Sequence, residues 1–250
     1  LRQIMKYFIG NWKMFGIPSS IKIVDRVNSF YQRDRKNKKK YKVVISPPHT
    51  LLESFSKAFK NKKISICAQN CFHKDSYGSH TGSISPFMIK KLGVNNIIIG
   101  HSENRAAGDN EKIIKEKILA ATKNKFNIIF CIGENKYEKK RKLTLSVLKK
   151  QIKNALYKKY DLKKIIIAYE PIWSIGTGLV PTAEQIKEIK DFTYDFIFKS
   201  KNISKIFFLY GGSVNSMNIS EIFEFSDVNG ALIGGSSLKY EEMNKILTFG

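Results

Sequence analysis

The segment KIIIAYEPIWSIGTG, Lys164–Gly178, decides how the chain is read. Its first part, Ile165–Tyr169, is apolar at every position and rich in β-branched residues. A half-exposed strand would alternate apolar and polar residues, so an unbroken run suits a parallel strand covered on both faces. Glu170 and Pro171 end the run, because proline has no N–H to extend a ladder. Gly176 and Gly178 then mark a loop, and Thr182 with Gln185 has the spacing of a capping box that starts a helix. One strand, one loop and one helix make a single βα unit.

The same unit recurs in both directions. Strand candidates are Tyr7–Lys13, Lys42–Ser46, Ile64–Gln69, Asn96–Ile99, Ile128–Ile132, Ile165–Tyr169, Lys205–Leu209 and Gly230–Ile233. Helix candidates between them begin near Ser19, Thr50, Ser85, Asn110, Leu143, Thr182, Met217 and Ser237. Ile114, Ile118 and Ala121 mark one apolar face of the fourth. Eight alternations in 250 residues, with no linker or shift of composition, predict an α/β fold. The expected form is one (βα)8 barrel domain over residues 1–250, with a closed, parallel, eight-stranded sheet. Met5 stands just before the first run, so residues 1–4 read as an N-terminal extension. An open doubly wound sheet is the competing architecture. It calls for G-x-G-x-x-G after the first strand, and GNWKMFG at 10–16 lacks that pattern.

Composition narrows the class. Hydrophobic residues at 42% and aromatics at 12% fit a folded chain and exclude a disordered one. No apolar run approaches the ~18 residues of a membrane span, and the first residues lack the apolar stretch of a signal peptide. A cytoplasmic protein with no membrane partner is expected. Cys67, Cys71 and Cys131 form no CxxC pair and have no histidines at ligand spacing, so reduced thiols and no metal are expected. The formal net charge of +23 allows two readings, a polyanion-binding surface or a solvated lysine-rich one. The basic runs Arg33–Lys40 and Lys136–Lys142 fall at element ends and match no recognised nucleic-acid-binding motif, which favours the solvated surface. A basic nucleic-acid-binding protein on a barrel scaffold is the alternative function, and no nucleic-acid partner is expected.

In a barrel of this kind, chemistry collects at the C-terminal strand ends. Those ends carry Asn11 and Lys13, His101 and Glu103, Glu134, Glu170, Ser213, and Gly234 with Gly235. Each alone has an ordinary reading: Lys13 as a surface lysine, His101 as a satisfied core histidine, Glu170 as a surface carboxylate. They converge only if the sheet closes. The glycine groups Gly176/Gly178, Gly211/Gly212 and Gly234/Gly235 follow the last three strands. Glycine lets backbone N–H groups approach an anion, and loops at this end of a barrel often hold phosphate.

Six motifs carry a resemblance: GNWKM at 10–14, GHSENR at 100–105, CIGE at 131–134, AYEPIWSIGTG at 168–178, YGGSV at 210–214 and GGSSL at 234–238. In order and spacing they resemble the triosephosphate isomerase family from about Tyr7 onward. The resemblance implies a TIM barrel that interconverts dihydroxyacetone phosphate and D-glyceraldehyde 3-phosphate in glycolysis and gluconeogenesis. It implies Glu170 as the base between carbons 1 and 2, and His101 as the neutral electrophile of an enediolate intermediate. Lys13 is then the cation near the phosphate and the developing oxyanion, supported by Asn11, with Glu103 beside Lys13. Phosphate would meet the backbone of Gly176, Ser213, Gly234 and Gly235. Pro171–Gly178 would be a lid, held closed through Tyr210 and open through Glu134 and Trp173. No organic cofactor or metal is implied. The residue types suit the chemistry independently, since an aldose–ketose shift needs a carboxylate base, a neutral donor and a cation near a dianion.

The resemblance also implies a homodimer, with loop Cys71–Ser83 inserting into a partner and Thr81 reaching the partner's Asn11 and Lys13. This chain departs from the family at Phe15, usually Asn. Ser83 and Asn104, usually Glu and Arg, can pair across subunits in the family. Loss of both charges strands neither, so a dimer is still expected. Ser174 and Ser236 replace the usual alanines and are expected to be tolerated.

Overall fold

Among the described residues eight runs pair as parallel strands. They are β1 (Lys6–Asn11), β2 (Tyr41–Ser46), β3 (Ser65–Ala68), β4 (Asn96–Ile99), β5 (Asn127–Ile132), β6 (Ile165–Tyr169), β7 (Phe207–Tyr210) and β8 (Gly230–Ile233). The computed structural model describes residues 5–34, 41–157, 161–201 and 206–249. The extension read at residues 1–4, positions 35–40 of the first basic run, and Lys205 of the seventh strand candidate lie outside these. Each strand neighbours the next in sequence. β1 returns to β8 through Tyr7 opposite Gly230 and Gly10 opposite Ile233, so the sheet closes.

The helices lie between the strands: α1 (Ile21–Asp34), α2 (Leu52–Phe59), α3 (Pro86–Lys91), α4 (Ser102–Ala106), α5 (Glu111–Lys123), α6 (Lys136–Lys140), α7 (Thr144–Ala155), α8 (Ala183–Lys201), α9 (Ile219–Ser226) and α10 (Tyr240–Leu247). The period-2 pleat divides every strand between two cores. Ile9, Val44, Cys67, Ile98, Ile129, Ile166, Leu209 and Leu232, one from each strand, pack together as one cluster inside the barrel. Their neighbours Phe8, Val43, Ile97, Ile128, Ile167 and Phe208 face outward. There they meet Val24 and Val27 of α1, Ile114 and Ile118 of α5, Leu148 and Ile152 of α7, and Met243 and Ile246 of α10. Burial on both faces is why the strand segments read as unbroken apolar runs.

Several boundaries differ from the sequence reading. β1 stops at Asn11, short of Lys13, whose φ of 54° lies in the left-handed region and cannot continue a strand. β7 extends to Tyr210 rather than ending at Leu209. Ser85, Asn110 and Leu143 are N-caps, and Thr182 and Gln185 exchange their capping-box bonds at 3.2 and 3.3 Å. Ser19, Thr50 and Ser237 fall instead in short 3-10 turns that precede α1, α2 and α10. Met217 stands just before the start of α9. The helices α4 and α6 were not expected, because five residues are too few to show a helical period.

At the N-terminal ends of the strands a cavity of about 1120 Å³ opens between an apolar floor, including Val44, Ile129 and Ile166, and a rim of lysines. The C-terminal ends of the strands form the opposite mouth, where the motif residues collect.

The inner cluster is the part of the fold with least room to relax. Ile129→Ala is expected to lower unfolding free energy by about 2–5 kcal/mol. The check is a denaturant midpoint that falls with an unchanged slope; a loss below about 1 kcal/mol would show that the barrel interior is loosely packed.

Candidate active site

Glu170 follows β6 on the same pleat face as Ile166 and Ala168, so its side chain turns into the barrel mouth. Two absent side chains make the room. A Cβ on Gly133 would fall 1.9 Å from the Glu170 carbonyl oxygen, and one on Gly211 would fall 2.8 Å from Glu170 Cγ. Gln151 of α7 braces this spot, with its amide bonded to both the N–H and the carbonyl of Gly133 at 3.0 Å. The Cys131 thiol lies below the carboxylate. Burial, and then the charge of Glu170, push it well above its ordinary range, so it stays protonated.

Glu170 is itself only 3% exposed. One carboxylate oxygen, Oε1, lies 3.2 Å from His101 Nε2. The other, Oε2, is buried and has no hydrogen-bond partner among the described residues. A buried carboxylate oxygen without a donor is costly.

His101 follows β4 and caps α4. The Glu103 N–H donates to His101 Nδ1 at 3.2 Å, which requires a lone pair on Nδ1 and puts the ring proton of the neutral imidazole on Nε2, facing Glu170. Burial lowers the pKa of this ring, while the Glu170 and Glu103 carboxylates raise it, and the net direction in the free site is upward. The two influences differ in kind. The carboxylates favour adding a proton, and the helix N-terminus leaves only Nε2 suited to carry one. Arg105 fixes the end of β4, donating from Nε to the Gly100 carbonyl at 2.7 Å and from Nη2 to the Cys131 carbonyl at 3.3 Å.

Lys13 is held by its backbone. Its N–H donates to Asn11 Oδ1 at 3.1 Å, and its carbonyl accepts from Gln69 Nε2 at 2.8 Å. These two bonds hold the left-handed turn and aim the side chain across the mouth, where Nζ meets Glu103 Oε1 at 2.6 Å. A Cβ at Gly234 would lie 4.0 Å from Lys13 Cε, so the loop after β8 borders the lysine. Gly235 begins the 3-10 turn that packs against Gly10 of β1.

The segment after Glu170 has its own anchors. Trp173 Nε1 donates to Glu134 Oε1 at 2.8 Å, and the Tyr169 hydroxyl lies 3.2 Å from both Glu134 oxygens. Ser174 is buried, and its hydroxyl lies 3.2 Å from Tyr210 Oη; burial foremost pushes the Tyr210 phenol up to about 12. The Ser213 N–H donates to Ser174 Oγ at 3.3 Å. Gly176 stands in the exposed part of the loop, with no atom within 4 Å of where its Cβ would be.

Asn11, Lys13, His101, Glu103, Glu170 and Gly234 therefore converge. Glu134 and Trp173 pair with each other behind the site, Tyr210 and Ser213 gather around Ser174, and Gly176 stays apart. Sequence reading missed Gln69, Arg105, Cys131, Gln151 and the close fit of Gly133 and Gly211 around Glu170. Gln151 alone left a signal, as a polar residue on the apolar face of α7 beside Leu148, Ile152 and Ala155. Among the described residues no group of three or more His, Cys, Asp or Glu side chains is placed to hold a metal ion.

Comparison with known proteins agrees with this geometry. The sequence profile of the triosephosphate isomerase family matches residues 6–250. A curated triosephosphate isomerase of Borrelia garinii subsp. bavariensis is 39% identical over 248 residues, covering 96% of this chain and 97% of that protein. One of Geotalea uraniireducens is 36% identical over 247 residues, covering 96% of each. The crystal structure of triosephosphate isomerase from Bartonella henselae superposes with a TM-score of 0.87 at 33% identity, covering 98% of both chains. A match of this length, on a closed barrel with these residues at its strand ends, places the chain in the triosephosphate isomerase family.

Proposed function

We propose that this chain performs its family's isomerisation of triose phosphates with the residues that meet at the barrel mouth. The observation that carries the reading is the buried Glu170 carboxylate, with one oxygen on His101 Nε2 and the other unpartnered. Glu170 removes a proton from carbon 1 of dihydroxyacetone phosphate. The freed electron pair forms the carbon 1–carbon 2 double bond, and the carbonyl π electrons move onto oxygen 2. His101 donates an Nε2–H hydrogen bond to that oxygen and keeps its proton, and Lys13 sets a positive charge nearby. Glu170 then returns the proton to carbon 2, while the proton of the carbon 1 hydroxyl passes to oxygen 2. The product is D-glyceraldehyde 3-phosphate, with no net redox change and no need for a cofactor. Asn11 and Gln69 keep Lys13 in place, and Glu103 orients its ammonium group.

The phosphate is assigned to the backbone N–H groups of Gly176, Ser213, Gly234 and Gly235. Gly234 already borders Lys13, whereas Gly176 must travel with its loop. Pro171–Gly178 is the lid that makes this movement and excludes water from the intermediate. Trp173 bonded to Glu134 marks the open position, and Tyr210 is the partner for the closed one.

A homodimer in the cytoplasm, serving glycolysis and gluconeogenesis, completes the proposal, with residues 1–250 acting as one barrel domain. Support for the dimer comes from exposed apolar side chains beside the proposed contact, Met14, Phe15 and Ile17 after β1 and Tyr77 in the loop. Most of Cys71–Ser83 is exposed, Thr81 included. At the loop base Asn70 accepts from Lys117 Nζ at 3.1 Å and donates to Asn104 Oδ1 at 3.1 Å. Asn104 thus holds the loop root inside its own subunit, a use that requires no charge at Ser83. Among the described residues no helix is long and apolar enough to cross a membrane, and the three cysteines are free thiols. The nucleic-acid alternative has no support in the fold or in the relatives.

Three measurements test the reading. Glu170→Gln is expected to lower kcat by about 10³-fold in conversion of D-glyceraldehyde 3-phosphate to dihydroxyacetone phosphate. An inactive wild type, or a variant that keeps most of its rate, refutes the assignment. Gln69→Ala frees the Lys13 carbonyl and should reduce kcat/KM about tenfold while thermal stability changes little; an unchanged kcat/KM removes Gln69 from the site. Sedimentation at micromolar concentration should show a dimer, and a fully active monomer would remove Thr81 from the partner's site.

A further inference from the structure

Ser174 stands where the family usually has alanine, and its hydroxyl is built into the loop. The side chain is completely buried. Its Oγ donates to the Leu179 carbonyl at 2.5 Å, which ties the two ends of the glycine loop together. With that proton committed, the oxygen acts as an acceptor toward its other neighbours, the Tyr210 hydroxyl at 3.2 Å and the Ser213 N–H at 3.3 Å. A side chain on Gly212 would collide here, since its Cβ would fall 2.7 Å from Ser174 Oγ and 2.1 Å from Tyr210 Oη. A separate bond, from Ser213 Oγ to the Ser174 carbonyl at 2.6 Å, needs only the backbone of residue 174.

We propose that Ser174 is a phosphate-released latch, a positioning residue whose hydroxyl holds the loop in the position seen here by occupying the Ser213 N–H and the Leu179 carbonyl. The inference rests on the reading of the Ser213 N–H as a phosphate ligand. An N–H has one hydrogen and makes one good bond at a time. A phosphate oxygen carries charge and is a stronger acceptor than a hydroxyl. Bound phosphate therefore takes the N–H, Ser174 loses one of its two donors, and the stitch between residues 174 and 179 weakens as the site fills. In a chain with alanine at this position the N–H starts free, and phosphate displaces nothing from it.

The test uses inorganic phosphate as a competitive inhibitor of the full-length enzyme, with Trp173 fluorescence as a report on loop position. The indole donates to Glu134 and changes surroundings if the loop moves. Ser174→Ala keeps the Ser213 Oγ bond to the backbone and removes only the hydroxyl. It is expected to bind phosphate about threefold to tenfold more tightly, the factor that one hydrogen bond carries, and to reach its Trp173 change at correspondingly lower phosphate. A purely structural hydroxyl would lower the melting temperature and leave the inhibition constant alone. Unchanged or weaker phosphate inhibition in Ser174→Ala, with the wild type inhibited competitively, overturns the latch and leaves the phosphate site standing. A wild type that phosphate does not inhibit overturns both. Ser174→Gly also lacks the hydroxyl and decides the same question if the alanine variant fails to fold.

Discussion

Pairing of Tyr7–Gly10 with Gly230–Ile233 joins the two ends of the chain, and the site exists only because of it. The motif residues lie far apart in sequence, from Asn11 to Gly235. In an open sheet the loop after β8 would lie across the whole sheet from Lys13. Closure sets Gly234 against Lys13, and it sets His101 within reach of Glu170 across β5. It also removes the sheet edges, so each backbone N–H and carbonyl of a strand has a neighbour on either side. Strand order β1 to β8 without crossovers keeps every C-terminal strand end at the same mouth.

Closure also forces a choice on each strand, because alternate residues must fill a narrow interior. Apolar side chains fill it at the level of Ile9, Ile98 and Ile129. One step nearer the mouth the residues are small, Cys131 and Ala168, and then the chain places a carboxylate. Glu170 at that level is buried, with Gly133 and Gly211 giving the space. Desolvation makes such a carboxylate expensive unless a donor meets it. Here one donor, His101 Nε2, meets one of two oxygens. The incomplete pairing makes the residue a poor contributor to stability and leaves one oxygen without a donor, as its proposed role requires. The positive φ of Lys13 is a similar trade, since strain at a non-glycine residue persists only where neighbours enforce it. Asn11 and Gln69 enforce it here.

What the sequence makes legible follows from these causes. The unbroken runs at Ile97–Ile99 and Ile165–Tyr169 announce burial on both faces, which is a local property of the segment and needs no contacts to read. The strand-end motifs are likewise local, and their resemblance to one family supplies the roles expected of them. The supports of the site could not be read this way. Gln69 acts on a residue 56 positions away, and Gln151 reaches back 18 positions to Gly133. Nothing in either segment says which backbone group waits for the amide. Short helices such as α4 are fixed by a cap at His101 rather than by a hydrophobic period, so they too lie below the reach of pattern reading. Ser174 is the sharpest case. In sequence it is a one-hydroxyl change from alanine, and in the fold that hydroxyl finds Leu179, Tyr210 and Ser213.

The large positive charge calls for a different argument, because it dominates composition and says little about the site. Charges act over about 8–10 Å at physiological salt, so their position matters more than their sum. Lys42, Lys60, Lys62, Lys63 and Lys163 line the cavity at the N-terminal mouth, the end of the barrel away from Glu170. Glu53 is the only carboxylate among the described residues that line that cavity, and it is paired with Lys57 at 2.5 Å. At the mouth that holds Glu170, Lys13 is matched by Glu103, and His101 faces Glu170. On the proposed assignment, a substrate dianion there meets one lysine already shared with a carboxylate, together with backbone N–H groups that carry no net charge. The lysines of that cavity therefore lie away from the mouth where phosphate is proposed to bind, and on that proposal its selectivity rests on the geometry of the loops after β6, β7 and β8.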